Sequence, residues 1–378
     1  MPKPKLVFVV SEDWYFCSHR LPLARAAIES GFEVLVVARI RHHRRAIEEV
    51  GAKVVPWHLI RGSRNPINEL RALAELAAIY RREAPDIVHH VAMKPVIYGN
   101  LAAHIAGVKR SVNALAGMGY AFSSTSVYAR LLRPALAAIY RWLLSGRQCL
   151  LILQNPDDRQ LMVGQNLIDG DRVRIVRGSG VNPEQYLPSG EPDGIPVVVL
   201  AARMLWDKGI REFADAAGVL RKKAVRARFV LVGDVDPENP ASVPIRELER
   251  WHAEGVLEWW GRREDMPRVF AGANIVCLPS YREGLPKVLL EAASSARAIV
   301  TTNVPGCREA VTDGDNGLLV PPRDAVALAA ALEKLIADPE LRRKMGNRGR
   351  ERVLAEFSES RVMSETMAIY RQLLEDPV

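Results

Sequence analysis

Two glutamates lie eight positions apart in the stretch REGLPKVLLEAA. Gly284 and Pro286 predict a turn that leads into a helix, because proline is favoured in a first helical turn and glycine frees the backbone before it. This pattern places Glu283 in a loop and Glu291 inside the helix. The amides of Gly284 and Leu285 then fall near a helix N-terminus, where N–H groups attract the oxygens of a ligand. Carboxylates and amides in this arrangement suit a polyol that has a phosphate group.

Each glutamate also has an ordinary structural interpretation. Glu283 could cap amides of its own loop, and Glu291 could lie on a solvated helix face. The neighbours of Glu291 in LLEAA are apolar on both sides, which is unusual for a solvated position. We therefore favour a binding role for both carboxylates.

Arg203 and Lys208 follow the apolar strand PVVVLAA, in the sequence AARMLWDKG. Ligands of parallel sheets bind beyond the carboxyl ends of the strands, so both cations are expected where a ligand would arrive. An arginine fork and a lysine charge together can neutralise a diphosphate. Two solvated surface cations are an equally good interpretation of the same residues.

Three Asp-x-Asp triplets could hold a divalent metal on a nucleotide diphosphate, namely Asp169–Asp171, Asp234–Asp236 and Asp313–Asp315. The first and third read DGD, which is typical of turns. Asp234–Asp236 follows the strand FVLVG, but no further ligands lie near it in the sequence. We expect no metal site.

Histidines and a glycine turn give weaker signals in the N-terminal half. His89 and His90 end the apolar strand that begins DIV, and His19 precedes a helix that begins LPLA. Each could act as a base or contact a phosphate, although a lone histidine is more often structural. The sequence GMGYAF, which begins at Gly117, lacks the third glycine of a dinucleotide fingerprint and predicts a turn that permits close ligand approach.

The chain is basic, with 52 lysines and arginines against 44 acidic residues and a net charge of +8. This balance suits nucleotides, phospholipids or nucleic acid. The stretches RIRHHRR and YARLLRPALAAIYRWLL combine arginines with apolar residues, as an interfacial helix on an anionic membrane does, or as a packed amphipathic helix does. The basic residues are spread along the chain without a nucleic-acid-binding motif, so we expect no nucleic acid partner.

The remaining composition is that of a globular protein, with 378 residues that are 48% hydrophobic. The four cysteines are scattered and suggest neither a disulfide framework nor a zinc site, which fits a reducing cytoplasm. The first apolar run, LVFVV, is too short for a signal peptide or a membrane span.

Strand-like runs alternate with helix-period segments along the chain, which predicts parallel βαβ units. The alternation pauses in the Gly- and Pro-rich segment 178–196, which reads as a linker between two domains. Two such domains would leave a cleft in which a ligand binds. Three helices are expected at the C-terminal end.

The chain resembles the family 4 glycosyltransferases of the two-Rossmann-domain (GT-B) type over nearly its whole length. The elements that give the resemblance are the E-x7-E motif in LPSYREGLPKVLLEA, the Arg203 and Lys208 pair, and the final helices. ARMLWDKGIREF, LVGDVDPENP and SHRLPLA look like bacterial members that extend polyprenyl-diphosphate-linked sugars, including α-1,3-N-acetylgalactosaminyltransferases.

The resemblance implies an α/β fold of two Rossmann-like parallel-sheet domains facing a cleft. Residues 1–182 would form the acceptor-binding domain, with 358–378 packing back on it, and residues 195–357 would bind the nucleotide sugar. The function implied is retaining transfer of a sugar, such as GalNAc, from a UDP-sugar to a polyprenyl-diphosphate-linked saccharide. No metal or cofactor is implied, and the enzyme would act at the inner face of the cell membrane.

Site roles follow from the resemblance as well. Arg203 and Lys208 would hold the donor diphosphate and stabilise the leaving group. Glu291 would bind the ribose, Glu283 with the amides of Gly284 and Leu285 would bind the donor sugar, and Arg262 would contact the base.

One position departs from the family pattern. Ala116 stands where many members have a histidine near the transferred sugar, so His19, Lys94 or Asn113 would supply that contact instead. A UDP-sugar 2-epimerase of similar architecture is the alternative function. Such an isomerase needs paired acids near the sugar, and the candidate pair in the N-terminal half is Glu12 and Asp13, which close the first apolar run LVFVV.

Overall fold

The computed structural model describes residues 2–60, 62–63, 65–115, 137–146 and 148–375. The chain divides into two compact units, one of Met1–Ser179 with Val362–Val378 and one of Gly180–Arg361. The sequence placed the corresponding boundaries at 182, 195 and 358.

The first unit contains a seven-stranded parallel sheet in the order β3-β2-β1-β4-β5-β6-β7. Its strands are β1 Lys5–Glu12, β2 Glu33–Arg39, β3 Lys53–Pro56, β4 Ile87–Val91, β5 Ser111–Leu115, β6 Cys149–Leu153 and β7 Val173–Ile175. Its helices are Asp13–His19, Leu21–Glu29, Arg44–Glu49, Pro66–Glu83, Met93–Ala106, Pro156–Gly164 and Glu359–Glu375, and residues 137–143 are also helical.

Helices cover both faces of the sheet, so side chains on both faces of the central strands are buried. These strands are therefore continuous apolar runs. Val7 of β1 is buried between its register partners, Leu35 of β2 and Val88 of β4. The chain builds outward from β1 on one side and from β4 on the other, so the strand order reverses between these two. The carboxyl ends of β1 and β4 therefore form the switch point where ligands of open α/β sheets bind.

The second unit contains a six-stranded parallel sheet in the order β10-β9-β8-β11-β12-β13. Its strands are β8 Val197–Ala201, β9 Arg228–Val232, β10 Glu258–Trp259, β11 Ile275–Leu278, β12 Ala298–Thr302 and β13 Gly317–Val320. Its helices are Ile210–Lys222, Ile245–Ala253, Met266–Ala271, Lys287–Ser294, Cys307–Ala310, Ala325–Ala337 and Pro339–Arg352, the last continuing into a π-helical turn at Val353–Phe357. The switch point of this sheet lies between β8 and β11.

The C-terminal helix Glu359–Glu375 packs into the core of the first unit. Tyr370 and Leu373 are buried there. The Tyr370 hydroxyl and His89 Nδ1 form a hydrogen bond of 2.5 Å, and Arg110 Nε donates to the Leu373 carbonyl at 2.6 Å. The last helix of the chain thus packs in the same unit as the first strand, β1.

The segment 178–196, predicted as a linker, is instead fastened to the second unit from Gly180 onward. The buried guanidinium of Arg297 donates to Ser189 Oγ at 2.5 Å. Arg342 Nη2 lies 2.7 Å from Glu191 Oε2. Gly and Pro gave this segment an irregular backbone, but its polar groups are bound by buried arginines, which composition does not reveal.

The predicted interfacial helix at 128–144 is only partly described, since 116–136 lie outside the described residues and 137–143 are helical. Gly117 also lies outside the described residues. No helix in the described part of the chain combines the length and the hydropathy that crossing a membrane requires.

Candidate functional site

Loops that follow β8, β9, β11 and β12 meet at the carboxyl edge of the second sheet. The Met204 amide donates to the Asp234 carbonyl at 2.9 Å, which ties the β8 loop to the β9 loop. The Tyr281 amide donates to the Asp207 carbonyl at 2.9 Å, which ties the β11 loop to the β8 loop. These bonds assemble loops that are distant in sequence at the switch point of the sheet.

Two glycines allow the loops to approach this closely. Gly209 has φ +73°, and a Cβ there would lie 2.1 Å from the Pro279 carbonyl oxygen. Gly306 has φ +81°, and a Cβ there would lie 2.3 Å from the Gly284 carbonyl oxygen. Any larger residue would push the loop that contains Glu283 away from its neighbours.

Lys208 and Glu283 form the centre of the site. Lys208 ends a short 3-10 turn, Trp206–Lys208, after β8, and its Nζ lies 2.5 Å from Glu283 Oε1. The hydroxyl of Ser280 donates to the same oxygen at 2.6 Å. The lysine side chain is 20% exposed and the glutamate 12%, so the pair is largely shielded from water.

Arg203 is engaged by the acid triplet that the sequence singled out. Its Nη1 lies 2.8 Å from Asp236 Oδ2, with the arginine side chain 44% exposed. Asp234 Oδ1 accepts a hydrogen bond from the Arg262 amide at 3.1 Å, and the Arg262 guanidinium lies 3.7 Å from Glu264. The carboxylate of Asp236 therefore holds the Arg203 side chain, and that of Asp234 holds the backbone at Arg262.

Glu291 lies inside the helix Lys287–Ser294, as the sequence predicts. Burial raises the pKa of its carboxyl, an effect partly opposed by Lys287 and by the hydroxyl of Tyr186. Lys287 Nζ lies 3.7 Å from Glu291 Oε1. Pro286 is the N-cap rather than the first helical residue, so Gly284 and Leu285 precede the helix instead of forming its first turn.

The candidates of the first unit differ in their availability. His19 is half-buried, stacks on Tyr15 with ring centroids 4.3 Å apart, and has its Nδ1 2.6 Å from Ser18 Oγ. Lys94 lies in the first turn of Met93–Ala106, with Nζ 3.2 Å from the carboxylate of Glu69. Both lie beyond the carboxyl ends of the switch-point strands β1 and β4.

Asn113 is a correction to the predicted site. It is fully buried, and its Oδ1 accepts from Asn100 Nδ2 at 2.6 Å and lies 2.8 Å from His90 Nδ1. His90 and His89 are fully buried as well, bonded to Tyr80 and Tyr370 respectively. These three side chains connect elements of the core and are not available to a ligand.

The paired acids Glu12 and Asp13 also have structural partners. Glu12 Oε1 lies 3.4 Å from Arg39 Nη1. Asp13 Oδ2 accepts from the amides of Arg41, His42 and His43, and Oδ1 accepts from the amide of Trp14. Burial opposes ionisation of Asp13, but these amides outweigh it and lower the pKa of the carboxyl. The basic stretch RIRHHRR is thus anchored by a buried aspartate.

Three residues of the site were missed by sequence reasoning. Ser280 and Tyr281 precede Glu283 in the same loop, and Tyr186 reaches Glu291 from the segment that was predicted to be a linker. The position of Ser280 and Tyr281 directly after β11 was a usable signal, because such positions lie at the ligand edge of a parallel sheet. Nothing in the sequence near Tyr186 points to Glu291.

The assembled loops combine two cations, Arg203 and Lys208, with two largely shielded carboxylates, Glu283 and Glu291. Cations of this kind bind phosphate oxygens, and carboxylates accept hydrogen bonds from hydroxyl groups. Within the described residues, no cluster of three or more His, Cys, Asp or Glu side chains could hold a metal ion. The arrangement therefore suits a ligand with both phosphates and hydroxyls.

Family models match both units. The model "Glycosyl transferase 4-like" matches residues 5–155, and the model "Glycosyl transferases group 1" matches residues 195–338. Together the two models span most of the chain, one in each unit.

Individual proteins resemble the chain over most of its length. An N,N'-diacetylbacillosaminyl-diphospho-undecaprenol α-1,3-N-acetylgalactosaminyltransferase of Campylobacter jejuni is 25% identical over 94% of this chain and 96% of its own. A UDP-Gal:α-D-GlcNAc-diphosphoundecaprenol α-1,3-galactosyltransferase of Escherichia coli is 25% identical over 73% and 72%. The crystal structure of Anabaena HepE in complex with UDP and glucose has a TM-score of 0.77 at 17% identity, over 97% of this chain and 99% of that chain. The last similarity establishes the GT-B fold.

Proposed function

Because the chain belongs to the group 1 and 4-like glycosyltransferases, we propose that it moves a sugar from a UDP-sugar to a saccharide linked to polyprenyl diphosphate, with retention of anomeric configuration. The C. jejuni relative transfers N-acetylgalactosamine and the E. coli relative uses UDP-Gal, both onto undecaprenyl-diphosphate-linked sugars. An N-acetylhexosamine such as GalNAc is our proposed donor sugar, by similarity to the first.

The pair Lys208 and Glu283 is the observation that supports this proposal best. A lysine and a carboxylate 2.5 Å apart at a switch point can bind the donor while they stay paired, because the ammonium has further N–H groups for the diphosphate and the carboxylate has a second oxygen for sugar hydroxyls. Arg203 supplies a second charge for the diphosphate from the neighbouring loop. Glu291 is proposed to accept hydrogen bonds from the ribose, and the loop of Arg262 to contact the base.

Transfer requires that the bond between the anomeric carbon and the donor phosphate oxygen breaks, and the electron pair leaves with UDP. Arg203 and Lys208 stabilise the charge that develops on the leaving phosphate, at little reorganisation cost because they are positioned beforehand. The acceptor hydroxyl attacks from the same face, and its proton passes to the leaving phosphate oxygen. No protein base, metal or cofactor takes part in the proposed step.

The first unit is proposed to bind the acceptor. Lys94 and His19, beyond β4 and β1, are the residues that we assign to its diphosphate or saccharide. The basic stretch RIRHHRR, held by Asp13, is proposed to face an anionic membrane surface at the inner side of the cell membrane, where a polyprenyl-linked substrate resides.

The test measures UDP release from a panel of UDP-sugars in the presence of EDTA, with and without a polyprenyl-diphosphate-linked sugar. We expect acceptor-dependent release from one donor, and an α-linked product by NMR. Lys208→Ala should abolish release, whereas Lys223→Ala, at an exposed lysine paired with Glu333, should not. Release that requires a divalent metal, or isomerisation of the donor without transfer, would contradict the proposal.

A further inference from the structure

A partly buried hydrogen bond joins two residues beside the proposed donor site. The hydroxyl of Tyr281 donates to Glu212 Oε1 at 2.7 Å. Tyr281 lies two residues before Glu283 in the β11 loop, and Glu212 lies in the first turn of the helix Ile210–Lys222 that follows Lys208. The bond therefore connects the two segments that supply the central lysine and glutamate.

Burial of the Glu212 carboxylate at this position costs folding free energy. Glu212 is 7% exposed, and among the described residues neither a lysine nor an arginine pairs with it and its Oε2 has no hydrogen-bond partner. A buried carboxylate with one hydrogen bond pays a large desolvation cost. The N-terminus of the helix offsets part of this cost because its dipole favours a negative charge. Helix stabilisation alone could be obtained from an exposed acid, so it does not account for a buried one.

Tyr281 is held from two further directions. The Arg323 guanidinium lies 4.5 Å from the centre of the Tyr281 ring. The backbone amide of Tyr281 donates to the Asp207 carbonyl at 2.9 Å. Burial, together with the hydrogen bond to Glu212, raises the pKa of the phenol to about 12. The hydroxyl therefore stays protonated throughout the physiological pH range and can donate the hydrogen bond to Glu212.

We propose that Glu212 and Tyr281 are positioning residues that hold Lys208 against Glu283 in the geometry required by the donor diphosphate. This inference rests on the proposed function. Lys208 and Glu283 stand on separate loops, and a flexible lysine stabilises a developing charge only if its position is fixed in advance. Two hydrogen bonds fix the position of Lys208 relative to Glu283: the Tyr281 amide donates to the Asp207 carbonyl, and the Tyr281 hydroxyl donates to Glu212.

The decisive variant is Tyr281→Phe, which removes the hydroxyl and keeps the ring against Arg323. We expect kcat at saturating donor to fall about tenfold with little change in KM, because the lost positioning matters most when charge develops on the leaving phosphate. Glu212→Ala should cause the same loss, and the double variant should be no worse than either single variant. Glu212→Gln keeps an acceptor oxygen for Tyr281 and should restore most of the activity.

Glu340→Ala is the matched control, because Glu340 is also an acid in the first turn of a helix but is exposed. Its kcat should equal that of the wild type. Thermal unfolding of every variant is measured so that kcat refers to folded protein.

A folded Tyr281→Phe variant with wild-type kcat would overturn the positioning role. If that variant does not fold, Glu212→Gln and Glu212→Ala decide the matter, and equal kcat values for the two would overturn the role. UDP binding measured by calorimetry distinguishes failure of the proposed transferase function from failure of the positioning role. A wild-type chain that neither binds UDP nor transfers sugar overturns the proposed function and this role with it, whereas an active wild type with unaffected variants overturns the role only.

Discussion

Arg203 Nη1 lies 2.8 Å from Asp236 Oδ2, so the arginine that we propose to bind the donor diphosphate already has an acidic partner. A diphosphate must compete with this aspartate for the guanidinium. The arginine is substantially exposed, and exposed ion pairs are worth only about 0–1 kcal/mol. The competition is therefore modest, and it can be measured.

Asp236→Asn should strengthen UDP binding up to about fivefold, because the competing charge is removed while an acceptor for the arginine remains. Calorimetric titration with UDP measures the change. Arg203→Ala should instead weaken binding, and Asp236→Asn placed in the Arg203→Ala background should have no further effect. Weaker UDP binding by a folded Asp236→Asn variant would show that the aspartate supports the arginine rather than competing with it.

Gly209→Ala should lower both thermal stability and donor affinity, because its Cβ would lie 2.1 Å from the Pro279 carbonyl oxygen at a positive φ. The matched control is Gly218→Ala in the helix Ile210–Lys222, where a Cβ meets no atom within 4 Å. That substitution should stabilise the protein by about 0.5–1 kcal/mol, as alanine does in helix interiors. Differential scanning calorimetry and UDP titration of both variants test this, and equal melting temperatures would refute the close approach.

Glu291→Gln should raise the midpoint of thermal unfolding by roughly 2 °C at neutral pH while it weakens UDP binding. Burial raises the pKa of Glu291, so ionisation of this group is disfavoured by folding. The protonated carboxyl is the form that the folded state favours. Its contribution to stability is fully present below the unfolded pKa of 4.5 and is lost as pH rises through the higher folded pKa. The advantage of the variant should therefore vanish at acidic pH, and a variant that melts below wild type at pH 7 would refute this explanation.

Asp13→Asn should destabilise the protein by about 2 kcal/mol at neutral pH, because an amide cannot accept all four backbone N–H groups that the carboxylate accepts. Amide hydrogen bonds outweigh burial and lower the pKa of Asp13, so its contribution is present above 3.8 and is lost as pH falls through the folded pKa. Urea unfolding at several pH values measures the difference. Glu49→Gln, at an exposed glutamate, is the control.

Much of the fold follows from local pattern. Strands such as β1 and β8 contain continuous apolar runs, LVFVV and VVVLA, and their alternation with helix-period segments identifies parallel βαβ units. The turn and helix around Glu283 and Glu291 follow from one glycine and one proline. The helix Asp13–His19 was missed, because DWYFCSH has no apolar period of its own and packs through Asp13 and Phe16.

Which polar residues face a ligand could not be read from residue type. His90 and Asn113 are chemically suited to a site, yet the topology places both inside the sheet core, where each is bonded to a neighbouring strand or helix. The segment 178–196 has the composition of a linker, but buried arginines distant in sequence hold it to the second unit. These outcomes depend on long-range contacts, which local propensity does not encode.

The sequence by itself determined the two runs of βαβ units and the identity of the charged residues at the ends of β8 and β11. Only the tertiary structure decided that Lys208 meets Glu283, that Arg203 meets Asp236, and that Tyr281 reaches Glu212. The reason is physical: strand and helix formation depends on patterns within a few residues, whereas the order of strands in a sheet brings distant loops to one edge.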